Sequence, residues 1–294
     1  QCLVGSEMCI RDRVIILKKY GLIGHPLGHS MSPFIHNRLF EESGRSAQYD
    51  LLDIAPEEIA VKLPELLESY DGLNVTIPHK VSVIEYLDSL DESAERYNSV
   101  NCICRKNGRL TGFNTDCDGF LRSVPKKNLG GRVLLLGCGG VGRMMAIEAA
   151  RHGAAVTMAV IPEAMETAVR LVGEAKEKIS GAEISITSMD SISGEFDLLI
   201  NATPVGMYPK TDACPVSREI TGRCGAVFDA VYNPVKTKLI QYAEEAGIAA
   251  VGGMSMLVLQ AVSAHEIWDG DSYADEQINT IISDAAKIVE RDFN

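Results

Sequence analysis

The chain has 294 residues, 46% of them hydrophobic and 23% charged, with a formal net charge of −12. That length accommodates two domains of ordinary size, each with its own core, and the balance is that of a globular protein. The negative charge disfavours nucleic acid or an anionic membrane surface as partner, though not a local basic pocket, and no run reaches the roughly 18 apolar residues that span a bilayer.

Residues 1–13, QCLVGSEMCIRDR, show neither helical nor strand periodicity and resemble translated adapter sequence joined to a gene. Glu7, Arg11, Asp12 and Arg13 break up the apolar residues, which argues against a signal peptide. This leader is expected to be poorly packed and is set aside. The first strand starts at Val14 or Tyr20, with YGLIG (20–24) as its body. It runs into GHPLGHSMSPFIHN (24–37), where Ser32 is placed as a helix N-cap and Pro33 as the first helical residue. Ser30 and Ser32 thereby reach a helix N-terminus, whose N–H groups and dipole suit a small carboxylate. A strand over 47–54 follows, then an amphipathic helix marked by Ile59, Leu63, Leu66, Leu67 and Tyr70. GLNVTI (72–77) is the next strand, and Pro78 breaks it so that His79 and Lys80 project from its end. Residues 99–116 read as a hairpin turning at Asn107-Gly108.

A second unit begins at Arg132. RVLLLG is a short, wholly apolar strand suited to the centre of a parallel sheet. It leads into Gly137-Cys-Gly139-Gly140-Val141-Gly142, a G-x-G-x-x-G turn between a strand and a helix, the context that identifies a dinucleotide-binding loop. Gly137 permits the tight turn, Gly139 the approach of a pyrophosphate, and Gly142 close helix–strand packing. Strands follow within 154–160, 196–203 and 226–232, and after Gly252-Gly253 the chain ends in two helices. Ile278, Ile281, Ile282, Ala285, Ile288 and Val289 form the buried stripe of the last one. Strands alternating with helices throughout indicate an α/β protein with mainly parallel sheets.

None of the eight cysteines forms a Cys-x-x-Cys pair, so zinc ligation is not expected and reduced core thiols in a cytosolic protein are. His25, His29, His36 and His79 lack a ligand spacing with an acid partner and read as turn and cap residues.

The serine-rich turn resembles the substrate-binding signature of shikimate dehydrogenases. Four further segments match that family in its order: NVTIPHK (74–80), SVNC with GFNTD (99–102, 112–116), GCGGVGR (137–143), and DAVYNP with MLVLQA (229–234, 256–261). The resemblance implies an N-terminal α/β substrate domain (14–117 with 255–294, the terminal helices packing back on it). It also implies a Rossmann-type doubly wound parallel-sheet dinucleotide domain (118–254), with a cleft between the two. It implies a cytoplasmic oxidoreductase, monomer or homodimer, that reversibly reduces 3-dehydroshikimate to shikimate. Ser30, Ser32, Thr76, Asn101, Tyr232 and Gln260 fall on its substrate positions, with Asp116 binding the same hydroxyl that Lys80 serves. Lys80 and Asp116 are the expected catalytic pair: alcohol oxidation by hydride transfer must also move the hydroxyl proton, which an ammonium oriented by a carboxylate can exchange.

Gly137, Gly139, Gly140, Val141, Gly142, Arg143, Ala230 and Gly253 match the cofactor positions. No metal is expected. The family default is NADP, held through an Asn-Arg-Thr run after the second strand of the unit. Here Val160-Ile161-Pro162 stands in that place, without acid or base, which leaves NAD as a possible cofactor. The alternatives are an NAD-using quinate/shikimate dehydrogenase and a shikimate-binding regulator without turnover. Retention of both Lys80 and Asp116, and the lack of any basic DNA-binding segment, weigh against the regulator.

Overall fold

The computed structural model describes residues 17–28 and 30–292; the 1–13 leader, Val14 and His29 lie outside the described residues. The chain begins with β1 (Lys18–Gly24), α1 (Ser32–Glu42), β2 (Ala47–Asp53), α2 (Ile59–Ser69) and β3 (Gly72–Val75). It continues through β4 (Ser89–Leu90), α3 (Glu92–Tyr97), β5 (Cys102–Lys106), β6 (Arg109–Phe113), α4 (Thr115–Ser123) and α5 (Lys126–Leu129). The second half holds β7 (Arg132–Leu136), α6 (Gly140–Arg151), β8 (Ala155–Val160), α7 (Met165–Lys178), β9 (Glu183–Ser188) and β10 (Leu198–Asn201). Then come α8 (Arg218–Thr221), β11 (Ala226–Asp229), α9 (Lys238–Glu245), β12 (Ala249–Gly252), α10 (Gly253–Asp269) and α11 (Asp275–Asp292).

Two six-stranded sheets result, in the orders β2-β1-β3-β5-β6-β4 and β12-β11-β10-β7-β8-β9. The first is mixed. β1 pairs parallel with β2 and β3, while the β5–β6 hairpin adds antiparallel strands and turns where Asn107 and Gly108 both take positive φ. The second is wholly parallel, and counted from β7 its order is 3-2-1-4-5-6. The chain reverses direction across that sheet between β7 and β10, so their carboxyl ends flank the crevice where doubly wound sheets bind ligands. Val133 to Leu136 and Leu198 to Ile200 are fully buried, as a strand covered by helices on both faces requires.

The terminal helices return to the first sheet. Ile278, Ile281, Ala285 and Val289 of α11 and Val258, Leu259 and Val262 of α10 form one cluster with Ile35 and Leu39 of α1. At roughly 2 kcal/mol per buried aliphatic side chain, this stripe is a principal anchor of the chain's end. Ile282 and Ile288 pack at the edge of that cluster rather than within it.

Three expectations need correction. Ser32 is not the N-cap of α1: Met31 holds that place in the αR region without a side-chain cap, and Ser32 is the first helical residue. The reason is local, because the Ser30 hydroxyl accepts the Ser32 N–H at 3.2 Å and turns the chain into the helix one residue early. The third strand stops at Val75 rather than Ile77, and residues 76–81 are turn. His36 is neither a turn nor a cap residue but lies inside α1 with its ring buried, whereas His79 does lie in the turn after β3, its ring also buried. Among the described residues no helix is long and apolar enough to cross a membrane, and no three His, Cys, Asp or Glu side chains gather as metal ligands.

Candidate active site

β3 delivers one wall of the site. Past Val75 the turn is held by the His79 N–H on the Thr76 carbonyl (2.9 Å) and by the His79 ring, whose Nε2 lies 2.7 Å from the Ile54 carbonyl oxygen. The Lys80 carbonyl accepts the Val100 N–H at 2.7 Å, so its main chain is tied to the segment entering β5. Asp116 sits in the first turn of α4, where the helix dipole favours a carboxylate. Asn114 caps that helix through Cys117 N–H and donates its amide to the Ser99 carbonyl. Lys80 and Asp116, 36 residues apart, meet with Nζ 2.6 Å from Oδ2, each side chain about one-fifth to one-quarter exposed.

Asn101 organises this pair from behind. Its amide nitrogen donates to Asp116 Oδ1 at 2.9 Å, and its amide oxygen accepts Thr115 N–H at 2.6 Å. Both Asp116 oxygens are therefore engaged while the Lys80 ammonium keeps two further protons to offer.

Lys80 and Asp116 line a cavity of about 500 Å³ together with Ser30, Ser32, Thr76, Asn101, Tyr232 and Gln260. Every residue expected at the substrate thus borders a single space, of a size that suits a small ring. Among the described residues that line it, Lys80 is the one Lys or Arg. Burial raises the Tyr232 phenol above its ordinary pKa, which keeps it a neutral hydrogen-bond donor. Gln260 is fixed on α10 by donating its amide to the Leu257 carbonyl at 2.8 Å.

The opposite wall carries Val141, Ala230 and Gly253. Gly253 opens α10 against the end of β11, where a Cβ would come within 2.2 Å of the Ala230 carbonyl oxygen. Gly137, Gly139, Gly140, Gly142 and Arg143 lie in the β7–α6 loop and the first turns of α6, outside the cavity lining. Gly137 has φ +90°, and a Cβ on Gly142 would meet its carbonyl oxygen at 2.7 Å, so the loop requires glycine at both places. The first N–H groups of a helix lack intrahelical partners, and no side chain caps the start of α6, a chemistry suited to a pyrophosphate.

Arg143 is already committed. Its guanidinium donates to both Glu174 oxygens, one at 2.9 Å, and to the Tyr97 carbonyl at 2.6 Å, joining α6 to α7 and to α3. That Arg143 hydrogen bond holds the Glu174 carboxyl below the usual range. Past β8, Ile161 is 55% exposed and Val160 is buried, so the residues that end the strand carry no charge themselves.

Sequence reasoning missed Asn74. It is 4% exposed in the middle of β3, lines the cavity, accepts the Tyr49 hydroxyl at 2.7 Å and donates to the Asn101 carbonyl at 3.3 Å. An amide inside an otherwise apolar strand was the available signal, since a buried polar group needs a partner. Met256 and Leu257, which also line the cavity from α10, open the MLVLQA segment that matched the family but were not singled out as site residues.

Residues 22–103 match the family model of the shikimate dehydrogenase substrate-binding domain. The shikimate dehydrogenase (NADP(+)) of Caldanaerobacter subterraneus subsp. tengcongensis is 39% identical over 263 residues, 87% of this chain and 93% of that protein. The Listeria monocytogenes shikimate 5-dehydrogenase, solved in complex with shikimate and NAD, is 27% identical with TM-score 0.82 over 90% of this chain and 96% of that one. The Thermus thermophilus enzyme, solved with NADP(H) and shikimate, is 29% identical with TM-score 0.80 over 92% of this chain and all of that one. Agreement in sequence and in fold along nearly the whole described chain leads to one conclusion: the protein belongs to the shikimate dehydrogenase family.

Proposed function

We propose that the protein interconverts 3-dehydroshikimate and shikimate with a nicotinamide dinucleotide, in the space bordered by Lys80, Asp116 and Gly253. The observation that carries this reading is the 2.6 Å Lys80–Asp116 pair, set in a cavity whose other wall is the end of the dinucleotide sheet. We divide the chain into a substrate domain (14–117 with 255–294) and a dinucleotide domain (118–254).

The substrate carboxylate is assigned to the Ser30 and Ser32 hydroxyls and Tyr232, and the ring hydroxyls to Thr76, Asn101, Asp116 and Gln260. The Lys80 ammonium donates to the reacting oxygen and passes the proton in either direction, while Asp116 orients it and accepts the substrate hydroxyl. Asn101 keeps that carboxylate from rotating. When bound, the nicotinamide ring supplies or accepts the hydride. Gly137, Gly139, Gly140, Val141, Gly142, Ala230 and Gly253 would hold the dinucleotide, the first five by main-chain contact. Arg143 would serve it only by leaving Glu174 or by sharing itself.

Relatives named for NADP support that cofactor. With Arg143 paired to Glu174 and Val160-Ile161-Pro162 uncharged, the extra phosphate of NADP gains little here, so NAD serves as well. The described cysteines are free thiols, five of them buried, which suits a reducing cytoplasm. Initial rates of shikimate oxidation with each dinucleotide test the proposal. Turnover with both, at kcat/KM values within about tenfold of each other, is expected. No reduced nicotinamide with either would end the enzymatic reading, and a preference above a hundredfold for one would end the cofactor reading.

A further inference from the structure

Behind the substrate wall lies a polar cluster that meets the cavity lining at Asn74. Tyr49 of β2 is 7% exposed, and its hydroxyl donates to Asn74 Oδ1 at 2.7 Å. The Ser32 hydroxyl opposes the upward push that burial exerts on the same phenol. The Tyr49 ring is held flat on His36, with centroids 4.1 Å apart and planes 9° from parallel. His36 stands one turn beyond Ser32 on α1, wholly buried, with Nδ1 3.0 Å from Nε2 of His265 on α10. The phenol is thereby fixed between two helices and the sheet.

Hydrogen-bond direction gives this arrangement a consequence. A tyrosine O–H pointing at Asn74 obliges the amide to present its oxygen there. The Asn74 nitrogen then faces the other way, with one N–H on the Asn101 carbonyl at 3.3 Å, which leaves the second available to the cavity that Asn74 lines. Without the phenol only the long 3.3 Å contact to the Asn101 carbonyl holds the amide in this orientation. A flipped amide turns an acceptor toward the substrate, which itself carries acceptor oxygens and a negative charge. We propose that Tyr49 is a positioning residue for the substrate: its hydroxyl sets the Asn74 amide with N–H inward. The inference rests on the substrate assignment made above.

Tyr49→Phe removes one oxygen from a residue outside the cavity. KM for shikimate rises about tenfold or more, kcat stays within about threefold and KM for the dinucleotide stays within about twofold. A purely structural role lowers the melting temperature and leaves KM for shikimate alone, so an unchanged KM in folded Tyr49→Phe protein overturns the proposal. Asn74→Asp provides a second reading that leaves Tyr49 in place. It keeps an acceptor for the phenol and removes the inward N–H, so KM for shikimate must rise at least as far; an unchanged KM sinks the inward N–H whether or not Tyr49→Phe folds. Wild-type protein without shikimate oxidation would instead remove the function itself, which separates the two failures.

Discussion

The β3–α4 wall of the cleft and its β7–α6 wall are built from different materials. On the first, side chains are held by side chains: Tyr49 on Asn74, Asn101 on Asp116, Asp116 on Lys80. On the second, glycines line the β7–α6 loop, and Arg143 in the first turns of α6 is turned to Glu174 and Tyr97. A wall of directed side chains discriminates among hydroxyls and carboxylates, because a substrate lacking one leaves a buried group unpaired. A wall of main chain recognises the phosphates and ring common to all dinucleotides. Substitutions should accordingly damage chemistry on the first wall and access on the second.

The sharpest division is expected from Lys80→Ala. It should lower kcat by about 10²- to 10⁴-fold, the span of a general acid–base group, while the dissociation constant for the dinucleotide, measured by titration, stays within about twofold. Asp116 remains fixed by Asn101 in that variant, so the loss reports on the ammonium rather than on collapse of the site. Turnover within threefold of wild type would strip the first wall of its chemical role.

Gly253→Ala probes the second wall. Its Cβ would stand 2.2 Å from the Ala230 carbonyl oxygen and 2.9 Å from the Val231 carbonyl carbon, both main-chain atoms. α10 must therefore shift off the end of β11, at about 1–3 kcal/mol in denaturant unfolding. KM for the dinucleotide should rise more than KM for shikimate. The reverse order would mean that Gly253 belongs functionally with the substrate wall.

What could be read in the sequence follows the same division. Gly137 and Gly142 act within one turn, so a local pattern after an apolar strand reveals them. Ser30, Lys80 and Asp116 come together only through the fold, and resemblance rather than spacing brought them into one group. The start of α1 was misplaced by one residue because a serine before proline satisfies both the capping rule and the first helical turn. Tyr49, His36 and His265 stayed hidden for a plainer reason. The two histidines are 229 residues apart, and nothing in either neighbourhood announces a buried pair.

That pair supplies the smallest expected effect and tests whether the support of the first wall is sensitive to protons. Burial pushes His265 down to about 4 from 6.5, against the upward pull of Asp271 and Asp269, and Arg45 adds to the lowering. Burial, then His265 itself, holds His36 well below its ordinary value. Both are neutral in the folded state at neutral pH, whereas the unfolded chain protonates near 6.5. Stability from these groups is therefore complete above about pH 6.5 and declines as the pH falls toward 4. At pH 5 the His265 share of that loss is about 2 kcal/mol. His265→Gln retains an amide for His36 and Tyr273 but does not titrate. Urea unfolding at pH 7 and pH 5 should show a fall in stability smaller by about that amount in the variant than in wild type. An equal fall in both proteins would mean that His265 is already charged in the folded state, and that the wall behind Tyr49 rests on an ion rather than on a neutral pair.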